Sequence, residues 1–262
     1  MNVADTQDIT VLSLCSGYGG LELGMAGALA NPLRVVGVEI EAYALANLVA
    51  KAEEGKLAVE ALWPDVRTFP AERFRGCFDF ILAGYPCQPY SVAASCFKKE
   101  RDDRIIWPFI RNCIEQVQPD YFFGENVAGH LSRGFDRVVY DLDGLGYKIE
   151  AGLFQASEVG GPHKRQRLFV LAHSDSDLLL RIKMQPKRME KRYEKTSPES
   201  LLLPDWPPGP VTQSDIPRAI DGTPCPVDRI RLLGNGVVPQ QAEKAFRYLW
   251  NKFVTPSSSA TR

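Results

Sequence analysis

Residues 10–20 read Thr-Val-Leu-Ser-Leu-Cys-Ser-Gly-Tyr-Gly-Gly, and this stretch decides the fold. The apolar run Thr10–Leu14 predicts a β-strand, Ser16–Gly20 predicts a glycine-rich turn, and Leu21–Leu29 has the spacing of a helix. A strand that passes through a glycine turn into a helix is typical of the first unit of an α/β protein. Because glycine has no Cβ atom, such a turn lets a nucleotide-type ligand approach the backbone closely.

The same alternation of strands and helices continues to about residue 173. The run Phe78–Ala83 is continuously apolar, as expected for a parallel strand covered on both faces. The other predicted strands are Arg34–Glu39, Tyr121–Phe123, Tyr147–Phe154 and Leu168–Ala172, and helices are predicted from Ala42, over Ile105–Val117 and over Pro239–Trp250. We therefore predict an α/β fold with a doubly wound, mostly parallel sheet that binds its ligands at the carboxyl ends of the strands.

Length and composition exclude several classes of protein. The chain has 262 residues, 45% of them hydrophobic, with 31 basic and 32 acidic side chains, so we expect one large domain or a domain with a small appendage. Six scattered cysteines and three histidines predict reduced thiols and no metal site. The longest uncharged stretch, Phe80–Phe97, is interrupted by prolines and serines, and the first basic residue is Arg34. We therefore expect neither a membrane anchor nor a secretory signal.

A second sign of a cofactor site is an acidic residue one unit beyond the turn. Glu39 ends the second predicted strand 22 residues after Gly17, near the spacing of an acid that binds ribose hydroxyls. Glu22 stands where a dinucleotide fingerprint has its third glycine, and the chain has no Gly-Lys-Ser/Thr phosphate loop. The pattern favours a ribosylated cofactor without a phosphate chain, S-adenosylmethionine being the common one. An ordinary tight turn is the alternative.

A candidate nucleophile follows the apolar strand. Gly84–Ser91 reads Gly-Tyr-Pro-Cys-Gln-Pro-Tyr-Ser, in which two prolines restrict the backbone around Cys87 at the carboxyl end of the strand. A nucleophilic cysteine needs such exposure, together with nearby positive charge or a helix terminus that favours the thiolate. An isolated cysteine is more often a small buried hydrophobe, but the surrounding sequence is much more specific than a lone thiol.

With these motifs, the chain resembles the DNA cytosine-5 methyltransferases from about Thr10 to Phe246. The matching elements are Gly17–Gly20, Glu39, Asp65 in Trp-Pro-Asp-Val, Pro86-Cys87-Gln88, Glu125-Asn126-Val127, Arg165 with Arg167, and Gly234-Asn235. Two positions depart from the family pattern: His163 replaces the glutamine of the arginine motif, and Cys15 replaces the first-loop phenylalanine.

The resemblance implies transfer of a methyl group from S-adenosylmethionine to C5 of cytosine in double-stranded DNA, on a base flipped out of the helix. Cys87 would add to C6 and so make C5 nucleophilic. Glu125, kept protonated by burial, would donate to N3. A carboxylate in a structural ion pair is the alternative for this residue. Of the catalytic arginines, Arg165 and Arg167, we favour Arg167 for the contact with the base.

The implied cofactor contacts come from the turn, the strand ends and the late Gly-Asn segment. They are Cys15, Gly17, Tyr18, Gly19, Gly20, Glu39, Ile40, Asp65, Val66, Pro86, Trp107, Asn235 and Val237. The expected DNA contacts, from the cysteine loop and a basic run, are Gln88, Ser91, Lys183, Lys187, Arg188, Lys191 and Arg192. Arg104 is expected to order the loop after Cys87, and a core position is the alternative for Trp107.

The chain is predicted to have three parts. Residues 1–173 form the catalytic and cofactor-binding domain, and residues 229–262 return to it. Residues 174–228 form a small loop-rich recognition insertion, because Arg181–Lys195 holds seven basic residues against two acidic ones and Thr196–Asp228 holds eight prolines. An insertion this short is compatible with relaxed specificity, with recognition by a partner protein, or with a degraded copy of the family. A merely solvated charge run is the alternative for the basic segment.

The resemblance also implies partners and a location. We expect a monomer that acts on double-stranded DNA in the cytoplasm, associated with the nucleoid of a bacterium or with phage DNA, and that is compatible with a cognate restriction endonuclease. Two alternatives stay open: an RNA cytosine-5 methyltransferase on the same scaffold, and a non-catalytic DNA-binding relative. The intact Pro-Cys-Gln and Glu-Asn-Val elements argue against the second, because a pure binder has no use for a nucleophile.

Overall fold

The computed structural model describes residues 7–85, 106–161, 163–174, 182–184 and 236–254. Seven strands within these residues form one sheet: Ile9–Leu14 (β1), Leu33–Val38 (β2), Val59–Trp63 (β3), Phe80–Gly84 (β4), Tyr121–Val127 (β5), Lys148–Gln155 (β6) and Gln166–His173 (β7). Their order is β3-β2-β1-β4-β5-β7-β6. Strands β1 to β5 are parallel, and β7 runs antiparallel to β5 and β6. The predicted doubly wound, mostly parallel sheet is confirmed.

Helices cover both faces of this sheet. Those of the described residues are Gly20–Ala28 (α1), Ala42–Glu53 (α2), Trp107–Val117 (α3), Phe135–Gly144 (α4) and Pro239–Val254 (α5). Helices α1 and α5 pack on one face and α3 and α4 on the other, each in its own apolar layer. Helix α5 shows why: Ala242, Ala245, Phe246 and Leu249 are fully buried and recur at the spacing of a single helical face.

Two elements and one strand end differ from the sequence prediction. Strand β3 and helix α4 were not predicted, because β3 is an exposed edge strand and α4 carries Asp136, Asp141 and Asp143 among its apolar residues. Strand β5 continues past Phe123 to Val127, where it pairs with the start of β7. The Glu-Asn-Val motif therefore lies in a strand with a neighbour on each side, which fixes its side chains more firmly than a loop would.

Close contact between α1 and α5 brings the start of α5 and the residues just before it to the glycine turn. A Cβ atom added at Gly24 would lie 2.6 Å from the Cβ of Ala242 and 2.6 Å from the carbonyl oxygen of Pro239. A Cβ at Gly20 would overlap the carbonyl oxygen of Val237. Because these α1 positions lack side chains, the backbone before α5 lies directly against the turn that opens α1.

Candidate active site

The carboxyl ends of the parallel strands meet at one edge of the sheet and carry the predicted functional residues. Cys15 follows β1, Glu39 follows β2 and Asp65 follows β3, while Glu125 lies near the end of β5. Tyr85, which was not predicted as a site residue, follows β4 and directly precedes the Pro-Cys-Gln motif in the sequence. Ligands of open α/β sheets bind at this edge, so the structure places these parts of the predicted site where the fold predicts them.

Glu39 fixes the glycine turn. Its Oε2 atom accepts a hydrogen bond from the backbone nitrogen of Gly17 at 2.8 Å, and its Oε1 atom accepts one from the nitrogen of Glu41 at 2.8 Å. A carboxylate offers about four acceptor positions, so Glu39 can still accept from ribose hydroxyls. A Cβ atom added at Gly17 would meet no atom of the described residues within 4 Å. The turn therefore has an acceptor and open space beside it, which fits a ribosylated cofactor.

The backbone of the turn is left-handed at several positions. Cys15 has a φ of 55°, Gly17 of 57° and Gly19 of 85°. Burial, reinforced by the charges of Glu39 and Asp65, raises the pKa of Cys15 to about 12. Cys15 is thus a neutral thiol at physiological pH, which suits a wall of the site and not a nucleophile.

Exposed apolar side chains and an acidic residue lie at or just after the ends of β2 and β3. Ile40, directly after Glu39, is 60% exposed, and Trp63 at the end of β3 is 37% exposed. Asp65 accepts from the backbone nitrogen of Arg67 at 2.9 Å and also pairs with its guanidinium, so it caps the short 3-10 helix that begins at Val66. Trp63, the first residue of the Trp-Pro-Asp-Val motif, was not among the predicted site residues.

A buried carboxyl group and a half-buried amino group lie beneath the turn and were not predicted as part of the site. Glu22, in the first turn of α1, is 1% exposed, and burial raises the pKa of its carboxyl group. Lys51 of α2 donates to the carbonyl oxygen of Tyr18 at 2.7 Å, and burial lowers its pKa to about 8. Lys51 therefore ties α2 to the middle of the turn.

Glu125 and Arg167 form an ion pair across two antiparallel strands. Arg167 faces Val127 in the β5–β7 register, two positions from the residue that faces Glu125, so both side chains lie on one face of the sheet. The Nε atom of Arg167 is 3.0 Å from Oε1 of Glu125, which is 6% exposed. Burial raises the pKa of Glu125, and the charges of Arg167 and Arg165 oppose that rise. Burial therefore favours the protonated form of this carboxyl group, whereas the two arginines favour the carboxylate.

Arg165 connects the arginine strand to the segment before α5. Its guanidinium donates to the carbonyl oxygen of Gly236, and the hydroxyl of Tyr18 donates to that of Val237. Burial lowers the pKa of Arg165, although not enough to remove its charge. The segment before α5, which contains Val237, therefore lies against both the glycine turn and Arg165. The predicted contact of Val237 with the cofactor stays a prediction.

A second buried polar contact supports the end of β4. Tyr85 and the Nε2 atom of His130 are joined by a hydrogen bond of 3.0 Å, and Nδ1 of His130 lies 3.0 Å from the carbonyl oxygen of Arg133. That carbonyl can only accept, and burial lowers the pKa of His130, so Nδ1 carries the proton and Tyr85 donates. The side chain of Asn126 donates to the carbonyl oxygen of Tyr85 at 3.4 Å.

Trp107 lies at the start of α3 in the apolar layer of α3 and α4. Its ring centroid is 5.5 Å from that of Tyr85, and its Nε1 atom donates to Asp141 at 2.9 Å. It is 6% exposed, and its contact with the cofactor stays a prediction.

The remaining predicted residues fall into two groups. Pro86, Cys87, Gln88, Ser91, Arg104, Lys187, Arg188, Lys191, Arg192, Gly234 and Asn235 lie outside the described residues. Lys183 is described, and its backbone bonds to Ala30 and Asn31 between α1 and β2. That connection lies at the amino-terminal edge of the sheet, so the structure does not bring Lys183 to the other site residues.

The described residues contain neither a candidate metal site nor a candidate membrane-spanning helix. Nowhere in these ranges do three or more histidine, cysteine, aspartate or glutamate residues gather in a way that could hold a metal ion. None of the helices in the same ranges combines the length and the apolar character needed to cross a membrane.

Comparison with known proteins agrees with this geometry. A model of the C-5 cytosine-specific DNA methylase family matches residues 9–217. The Type II methyltransferase M.AplI of Arthrospira platensis is 32% identical over 175 residues, which are 65% of this chain and 47% of that protein. The Type II methyltransferase M.CviJI of Paramecium bursaria Chlorella virus IL3A is 26% identical over 265 residues, 94% of this chain and 63% of that protein.

Solved structures share the fold. The Entamoeba histolytica methyltransferase EhMeth superposes with a TM-score of 0.64 at 16% identity, over 95% of this chain and 99% of that one. The S. pombe Dnmt2 methyltransferase superposes with a TM-score of 0.51 at 23% identity, over 65% of this chain and 51% of that one. Identities this low show a common architecture and nothing finer.

The region matched by the family model contains the glycine turn, the Glu-Asn-Val strand and the arginine strand. The chain spans 47% and 63% of the length of the two Type II relatives described above. The resemblance inferred from the sequence motifs is confirmed: the chain belongs to the C-5 cytosine-specific DNA methylase family.

Proposed function

We propose that the protein transfers a methyl group from S-adenosylmethionine to C5 of cytosine in double-stranded DNA. The observation that carries the proposal is the buried pair Glu125–Arg167 at the carboxyl edge of the sheet. Glu125 is the register partner of Gly84, the last residue of β4, so the pair lies beside the strand that leads to Cys87. Family membership and the Type II relatives support the same chemistry.

The proposed roles follow from the charges of the reaction. When bound near the glycine turn and Glu39, the cofactor supplies an electrophilic methyl group on its sulfonium. The thiolate of Cys87 attacks C6 of the flipped cytosine, which makes C5 nucleophilic and places negative charge toward N3. Protonated Glu125 donates a hydrogen bond to N3 and so stabilises that charge. Arg167, which the sequence favoured for the contact with the base, pairs with Glu125 and so holds this carboxyl group in place, while its contact with the base stays a prediction. Loss of the C5 proton to water and expulsion of the thiolate complete the turnover.

Covalent trapping tests the proposal. Purified protein, labelled S-adenosylmethionine and duplex DNA containing 5-fluorocytosine should give a stable protein–DNA adduct, because fluorine at C5 cannot leave as a proton does. Cys87→Ser should abolish the adduct. Cys77→Ser is the matched control, because Cys77 is exposed and precedes β4 at the opposite edge of the sheet.

Each other outcome contradicts the proposal in a different way. An adduct with 5-fluorocytosine-substituted transfer RNA but not with DNA would identify an RNA methyltransferase. DNA binding without any adduct would identify a non-catalytic relative. An adduct that persists in Cys87→Ser would remove Cys87 as the nucleophile.

The wider role is part of the same proposal. Because the two relatives are named Type II methyltransferases, we infer that the protein methylates DNA and so protects it beside a restriction endonuclease. Bisulfite sequencing of DNA from cells that express the protein should show methylcytosine in one short sequence. Methylcytosine scattered over unrelated sequences would contradict the protective role but would still agree with the proposed methyl transfer to cytosine.

A further inference from the structure

The side chain of Gln241 joins the first turn of α5 to the connection between β6 and β7. Its Nε2 atom donates to the carbonyl oxygen of Phe154 at 2.8 Å and to that of Arg165 at 2.9 Å. Gln241 is 0% exposed. Both partners are carbonyl oxygens, which only accept, so the atom between them is the amide nitrogen and the orientation of the side chain is determined.

Arg165 depends on this contact because its backbone is strained. Its φ is 31°, in the left-handed region that residues with a Cβ atom rarely occupy. Such conformations persist only where the surroundings impose them. The carbonyl group of Arg165 is held by Gln241, and its guanidinium donates to Gly236, five residues before Gln241. One short segment of the chain therefore holds both the backbone and the side chain of Arg165.

The position of Arg165 matters for the site beside it. Its charge opposes the rise in the pKa of Glu125, so the two groups are close enough to interact. Arg165 also interacts electrostatically with Tyr18 of the glycine turn. A displacement of Arg165 would change the field at Glu125 and the contact with the segment before α5 at the same time.

We propose that Gln241 is a positioning residue that acts through Arg165, holding this arginine where it faces Glu125 and the glycine turn during methyl transfer. The inference rests on the proposed function and extends it to a residue that follows Arg165 by 76 positions. A second possibility is that Gln241 only stabilises the packing of α5 on β6 and β7. The two roles predict different kinetics.

The variant Gln241→Met separates them, because methionine has a similar length and shape but no hydrogen-bond donor. We expect kcat to fall about 10- to 100-fold, as for other small displacements of an aligned group, while KM for DNA and for cofactor changes less than about twofold. Gln240→Met is the matched control, since Gln240 is the preceding residue of the same turn and is partly exposed. It should keep the kcat of the original protein.

A double-mutant cycle with Arg165→Lys tests whether Gln241 acts through the arginine. If it does, Gln241→Met should lower kcat much less in the Arg165→Lys background than in the original protein. An equal loss in both backgrounds, or an unchanged kcat in folded Gln241→Met, would overturn the inference. If Gln241→Met does not fold, Gln241→Asn carries the same comparison. Absence of methyl transfer by the unaltered protein would instead contradict the proposed function itself.

Discussion

At the scale of single residues, the proposed donor role of Glu125 depends on the protonation state of its carboxyl group. Burial raises the pKa of its carboxyl group, while the charges of Arg167 and Arg165 oppose the rise, so both arginines influence the equilibrium between the protonated and ionised forms. A carboxyl group with a raised pKa is protonated below that pKa and loses its proton above it. A donor role for Glu125 therefore gives activity that is present at lower pH and is lost as the pH rises.

Glu125→Gln tests this balance. Glutamine still donates a hydrogen bond but does not titrate, so we expect kcat to fall by about 10²- to 10³-fold and the decline of kcat at high pH to weaken. Profiles of kcat against pH for the two proteins measure the effect. A decline at high pH that is identical in both proteins would assign it to another group.

Tyr85→Phe tests the buried contact with His130. The change removes the hydroxyl that donates to Nε2 of His130, and a buried acceptor that loses its donor costs about 1–3 kcal/mol. We expect that loss in the free energy of unfolding, measured in urea. Tyr140→Phe is the control, because Tyr140 is 73% exposed and its hydroxyl should contribute little. Equal effects of the two changes would mean that the hydrogen bond with His130 does not stabilise the fold.

At the scale of elements, the sequence predicted those features whose cause is local. The turn Ser16–Gly20 and the acid Glu39 were predictable, because a strand, a turn and a helix follow one another along a short stretch of chain. Strand β7 was predicted as a strand, but its place between β5 and β6 was not, because strand order depends on contacts among distant residues. Gln241 and His130 were missed for the same reason: in sequence, each resembles a polar residue on a solvated surface.

Gly24→Ala tests the packing of α1 on α5. The new Cβ atom would meet Ala242 and the backbone of Pro239 at 2.6 Å, so the helices must separate. We expect a loss of about 1–3 kcal/mol in the free energy of unfolding together with weaker cofactor binding. Gly144→Ala is the matched control, because no atom lies within 4 Å of its added Cβ. A Gly24→Ala protein as stable as the control would show that the helices can move apart at no cost.

At the scale of the whole molecule, the segregation of charge predicts how DNA binds. Lys187, Arg188, Lys191 and Arg192 belong to the basic run, in a chain whose net charge is −1. Reversing the charge of all four by substitution with glutamate should weaken DNA binding and reduce its dependence on salt concentration. The reason is that fewer phosphates are contacted and fewer counterions are therefore released on binding. Titrations at several salt concentrations measure both effects, and cofactor binding should stay unchanged. Identical salt dependence before and after the reversal would leave the run as a solvated surface.

The docking of α5 also has a consequence for synthesis of the protein. Helix α5 covers one apolar face of the sheet and holds Arg165, yet the ribosome makes it after every strand of that sheet. Until α5 emerges from the ribosome, the nascent polypeptide exposes an aggregation-prone hydrophobic surface and lacks one wall of the proposed site. Chaperones that shield such surfaces should therefore matter most until α5 has been made, and polypeptides released before Pro239 should aggregate.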